Sequence, residues 1–148
     1  MITGCNLSSH DDSLTVNQPE YRSMIGSLLY LTGTRPDIIH AVGIVGRFQA
    51  NPKESHLQAV KITFKYLQVT QDFGLWYPKN VDLTLHAHID ADLVGSVDDQ
   101  KSTSGGSFYM GPRLVSWFSK KQSSIALSTS EAEYVVVASC YTQLLWMM

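Results

Sequence analysis

The chain has 148 residues, of which 44% are hydrophobic and 16% charged, a balance that fits a globular protein and excludes a disordered or fibrous one. The length allows one ordinary domain or two small packing units and is too short for a complete polymerase. A formal net charge of −2 excludes broad electrostatic capture of phosphate backbones, so any contact with nucleic acid has to be local.

Residues 1–16 are polar and carry no apolar period, which predicts an extended or mobile lead-in. Met1-Ile2-Thr3-Gly4-Cys5-Asn6 lacks the basic and apolar regions of a secretory signal, and no apolar run reaches membrane-spanning length. Asn6-Leu7-Ser8 therefore matches a glycosylation acceptor only by accident. Cys5 and Cys140 lie too far apart in sequence to suggest a metal pair or disulfide framework and read as free thiols of a reducing compartment.

A helical region is expected over residues 17–74. Asn17 can cap a first helix, with Pro19 in its first turn, Glu20 three residues after the cap, and Ile25, Leu28, Leu29 and Thr32 at helical spacing before Gly33. Thr34-Arg35-Pro36-Asp37 restarts a helix with Ile38, Val42, Val45 and Phe48 as its stripe. Asn51-Pro52 breaks it, and a third helix from about Lys53 carries Leu57, Val60, Phe64 and Leu67. Three short amphipathic helices would share one small core.

The apolar period changes to two near residues 74–80. Leu83-Thr84-Leu85-His86-Ala87-His88-Ile89-Asp90 alternates as a strand with one buried face requires. Gly95 to Asp99 reads as a turn, and residues 106–110 and 114–118 read as a hairpin around Gly111-Pro112. Ser128 with Glu131 resembles a capping box, followed by Tyr134, Val137, Ala138, Tyr141, Leu145 and Met148 at helical spacing. The fold class is therefore α/β (α+β): a three-helix unit, then three antiparallel strands and one helix over residues 80–148.

Asp90 closes the first strand beside a turn, and Glu133 lies in the first turns of the last helix. Two carboxylates so held can bind magnesium, a hard cation that keeps waters and phosphates in its shell. Turn and helix-dipole preferences alone also place acids at such positions. His86, His88, Asp90 and Asp92 share one face of a regular strand, a spacing that could seat zinc, although histidines on a wet face need no metal. Lys120, Lys121 and Arg113 can touch phosphates or form a solvated charge run.

Taken together, Tyr21-Arg22-Ser23-Met24-Ile25-Gly26-Ser27-Leu28-Leu29-Tyr30-Leu31-Thr32, Arg35-Pro36-Asp37-Ile38, Asp72-Phe73-Gly74-Leu75-Trp76-Tyr77, Lys101-Ser102-Thr103-Ser104-Gly105, Ser116-Trp117, Ser119-Lys120-Lys121-Gln122-Ser123 and Leu127-Ser128-Thr129-Ser130-Glu131-Ala132-Glu133-Tyr134 resemble, in order and over nearly the whole chain, the blocks of copia-type retrotransposon Pol polyproteins. The resemblance implies the connection after a reverse transcriptase, followed by the front of a ribonuclease H-like domain. It places Asp90 and Glu133 on the family's first catalytic aspartate and its catalytic glutamate. With further aspartates these share two magnesium ions, which activate water for hydrolysis of RNA paired with DNA.

The family's later aspartates have no counterpart here, so the chain alone is expected to have little or no activity. Leu93 stands where the family usually has Trp, and Lys61-Ile62-Thr63 replaces a more basic stretch. Val97-Asp98-Asp99 lacks the aromatic that precedes a polymerase's aspartate pair and fits a solvated turn. The implied partners are an RNA–DNA hybrid in the intact parent and the rest of the Pol polyprotein, with no membrane. The implied location is intracellular, either cytoplasmic in a virus-like particle or nuclear. The alternative function is a non-catalytic module that binds a partner or self-associates through its incomplete sheet.

Overall fold

A computed structural model describes residues 7–148. Cys5 and the remaining positions of 1–6, on which the expectations about a signal segment and a free thiol fall, lie outside the described residues. The chain forms two compact units that meet in sequence at Gly74 and Leu75, where the apolar period changes.

The first unit holds α1 (Gln18–Leu31), α2 (Ile39–Val45, flanked by 3-10 turns Pro36–Ile38 and Gly46–Phe48) and α3 (Glu54–Val69). The Asn17 side chain accepts from the Glu20 N–H and sets where α1 begins. Tyr21, Ile25, Leu28, Ile38, Val42, Val45 and Val60 form one buried cluster, each such side chain contributing roughly 1.5–3 kcal/mol by burial. The Tyr21 hydroxyl donates to the Val45 carbonyl, so the ring enters the core with its polar atom satisfied. Leu29 and Phe64, expected inside, are exposed.

His56 occupies the interior instead. It stacks on Phe48 at 3.9 Å and accepts from the Lys53 N–H through Nδ1 at 3.0 Å. That assigns the ring proton to Nε2, which donates to the Ser8 carbonyl at 3.0 Å. Arg35 grips Asp37 with two hydrogen bonds and also donates to the Thr70 carbonyl and hydroxyl, tying the start of the second helical segment to the end of α3. The Arg35 guanidinium holds the Asp37 carboxyl below the usual range. Residues 14–16 are anchored rather than loose: Thr15 pairs with Lys53, and the Val16 N–H donates to the Pro52 carbonyl.

The second unit contains β1 (Leu85–Asp92), β2 (Thr103–Met110), β3 (Arg113–Lys121) and α4 (Thr129–Met147). The strands form an antiparallel sheet in the order β1-β2-β3. This is the mixed α/β fold expected, with strands longer than their apolar cores indicate. Gly111 turns the β2–β3 hairpin at φ +59°, and a Cβ there would strike the Asp82 carbonyl, so only glycine fits. Gly106 lies under the Phe118 ring, which occupies the space a side chain would need.

α4 lies against β1 and β2. The face it buries is Ala132, Val136 and Cys140, not the expected stripe. Tyr134, Val137, Tyr141, Leu145 and Met148 are exposed. The correction has a simple cause: α4 is apolar nearly all round, so its sequence holds no contrast from which to read its phase.

Candidate functional site

The sheet has two unlike faces. Phe108, fully buried and ring to ring with Phe118, belongs to the face under α4. Tyr109 belongs to the other, with the His86 and His88 rings packed on it. Strand alternation places Asp90 with His86 and His88, on the face away from α4. Glu133 projects from the first turns of α4, exposed, beside the buried Ala132.

A continuous chain of contacts fixes both carboxylates at the same end of the sheet. Ala91, next to Asp90, pairs with Ser104. The Ser104 hydroxyl accepts from the Gln122 side chain at 2.9 Å, and the same amide donates to the Ala132 carbonyl at 3.0 Å. Gln122 is 6% exposed, and its backbone N–H donates to the Ser102 carbonyl, so this bridge between strand and helix is held from both ends. Gln122 was not among the site residues drawn from the sequence. Its signal was weak, a polar residue closing a strand.

The two carboxylates share an end of the layer but not a face. β1, which carries Asp90, is an outer strand of the sheet. One Asp90 oxygen accepts from the Ala91 N–H at 2.9 Å, and the residue is exposed. Glu131 is spent on the helix start, accepting from the Leu127 N–H, while Ser128 accepts from the Glu131 N–H. Only Glu133 of the two acids in this turn remains available. Among the described residues, no three His, Cys, Asp or Glu side chains come close enough to share a metal.

The three basic candidates differ in availability. Arg113 donates to the Pro78 carbonyl and so braces the segment before β1. Lys121 pairs with Asp99 at 2.6 Å, which holds that carboxyl down at about 2. Lys120 is exposed. Asp99 is thus a bonded turn residue rather than a solvated one.

No family model matches the chain, and no solved structure does. Three curated relatives place it in context. It is 42% identical to the retrovirus-related Pol polyprotein from transposon RE1 of Arabidopsis thaliana, over 99% of this chain and 10% of that protein. It is 41% identical to the Pol polyprotein from transposon TNT 1-94 of Nicotiana tabacum, over 86% of this chain and 10% of that one. The secreted RxLR effector protein 161 of Plasmopara viticola is 39% identical over 86% of this chain and 90% of its own length. The chain spans about a tenth of the length of the Pol polyproteins it matches.

Proposed function

We propose that this chain, which belongs to the family of retrovirus-related Pol polyproteins from transposons, contains a helical connection (residues 17–74) followed by the first layer of a ribonuclease H-like domain (80–148). The intact parent would hydrolyse RNA in RNA–DNA hybrids, with Asp90 and Glu133 as catalytic carboxylates. The observation that carries this reading is the bridge from Ala91 through Ser104 and Gln122 to Ala132, which holds an exposed aspartate and an exposed glutamate at one end of a sheet.

By chemistry alone the donor set suits one magnesium ion, which needs one or two carboxylates and retains waters, although alternation assigns the two carboxylates to different faces of the sheet. It does not fit two ions about 4 Å apart, which require more carboxylates than this pair supplies. Bound magnesium would polarise a phosphate and lower the pKa of a bound water. The chain's own part is positional: β1 anchors the backbone of Asp90, and the capped start of α4 presents Glu133. Lys120 and, on release from Asp99, Lys121 would steady the hybrid's phosphates, whereas Arg113 serves the fold.

The test is cleavage of a labelled RNA–DNA hybrid by a polyprotein that contains this segment. Asp90→Asn and Glu133→Gln should each abolish magnesium-dependent cleavage while leaving the fold intact. The 148-residue chain alone should not cleave. Cleavage indifferent to both substitutions would refute the assignment.

One observation favours a second reading, a non-catalytic binding module. α4 exposes Tyr134, Tyr141 and Trp146, the last with 82% of its surface in solvent, a patch that suits a partner or a second copy. Sedimentation over a concentration series would reveal self-association, and Trp146→Ser should weaken it. No helix among the described residues is long and apolar enough to cross a membrane.

A further inference from the structure

We propose that His86 and His88 form a two-imidazole site for a borderline divalent transition cation, with zinc the ion its spacing suits. Residues two apart on β1 share a face, and the register sets His86 opposite Tyr109 and His88 opposite Ser107. The His86 ring lies parallel to the Tyr109 ring with centres 5.2 Å apart, and His88 stands edge-on to the same ring at 5.5 Å. The two imidazole centres are 5.7 Å apart.

Two imidazoles bound to one tetrahedral zinc, with nitrogens about 2.0 Å from the metal, hold their ring centres roughly 5 Å apart. A small side-chain rotation closes that difference. Both histidines are exposed, so no buried group has to be displaced. Tyr109 restricts one ring by stacking and the other by its edge, which reduces the freedom lost on binding.

Imidazole nitrogen selects zinc and its neighbours over magnesium, so this site is chemically separate from the carboxylate pair. Because no group of three metal-binding side chains forms among the described residues, the remaining coordination positions go to water or an added ligand. The site is therefore open and exchangeable, unlike a closed structural zinc centre.

Zinc titration of the full chain by calorimetry tests this, in a Cys5→Ser background that removes a competing thiol. One zinc should bind per chain. His86→Asn and His88→Asn should each weaken binding about a hundredfold, because either change converts a chelate into a single contact. His10→Asn should leave it unchanged. Absence of binding, binding that survives either His86→Asn or His88→Asn, or an equal loss on His10→Asn would overturn the assignment.

Discussion

The helical unit and the sheet unit bury their interiors by different means, and the difference decides what each can be used for. In the helical unit the cluster around Tyr21, Ile25 and Val42 is apolar; of its buried polar side chains, His56 has both ring nitrogens engaged and Thr63 and Thr70 donate to carbonyls of their own helix. In the sheet unit, Ser102, Thr103, Ser104 and Gln122 are buried beside Phe108 and Val136. Buried polar groups cost stability unless bonded, and in return they fix geometry. In the sheet unit such fixing ties the start of α4 to the end of the sheet, through Gln122 bonded to Ser104 and to the Ala132 carbonyl.

The contrast can be probed separately, since Trp76, Trp117 and Trp146 all lie after residue 74 and tryptophan fluorescence reports the sheet unit alone. The largest effect is expected at α4. Val136→Asp buries an unpaired carboxylate and should cost about 3–5 kcal/mol in a urea melt followed by fluorescence. Val137→Asp, one residue on and exposed, should stay within roughly 0.5 kcal/mol. Equal effects would contradict the orientation of α4.

Gln122→Leu comes next. It removes the donor to the Ser104 hydroxyl and the Ala132 carbonyl together with a buried Oε1 that has no partner among the described residues, and should cost about 1 kcal/mol net. The shift should appear in fluorescence; an unchanged fluorescence melt would deny Gln122 its role in the sheet unit. Val94 offers a change of opposite sign. It holds φ +57°, a conformation a β-branched residue adopts at a cost, so Val94→Gly should stabilise by about 1 kcal/mol. Its surface exposure means that little packing is lost.

The smallest effect is a pH dependence. The Lys121 ammonium depresses the Asp99 carboxyl from the ordinary 3.8 to about 2. Its ionised form therefore favours the fold: the contribution is complete above 3.8 and disappears as pH falls to about 2. Lys121→Met should flatten the acid limb of the fluorescence-detected stability profile across that window. Arg35 and Asp37 in the helical unit should still melt in acid, because their pair is untouched.

The same contrast explains what was legible in the sequence. The stripe Ile38, Val42, Val45 and Phe48 could be read from its three- and four-residue spacing, and all four are buried. The strand read over Leu83–Asp90 begins and ends two residues before the observed Leu85–Asp92, because alternation marks a face and not an end, while the hairpin at Gly111 was plain. α4 was legible as a helix but not in phase, since Tyr134 and Val136 are both apolar and only packing against the sheet distinguishes them. His56 and Gln122 were missed because a polar residue announces nothing about burial until its partners, Ser8 and Lys53 or Ser104 and Ala132, are placed beside it.

Of the site itself, the sequence pointed to Asp90 and Glu133, and their common end of the sheet emerged only from the register and the Gln122 bridge. Alternation assigns them to different faces, so whether one cation can span the open edge of β1 is the sharpest question. Manganese, a paramagnetic stand-in for magnesium, answers it through broadening of backbone amide signals by NMR. The account predicts that Ala91 and Glu133 amides broaden together at the same low manganese concentration, and that Asp90→Asn removes both effects. Broadening at one position alone, or loss at one with persistence at the other, would contradict a shared ion.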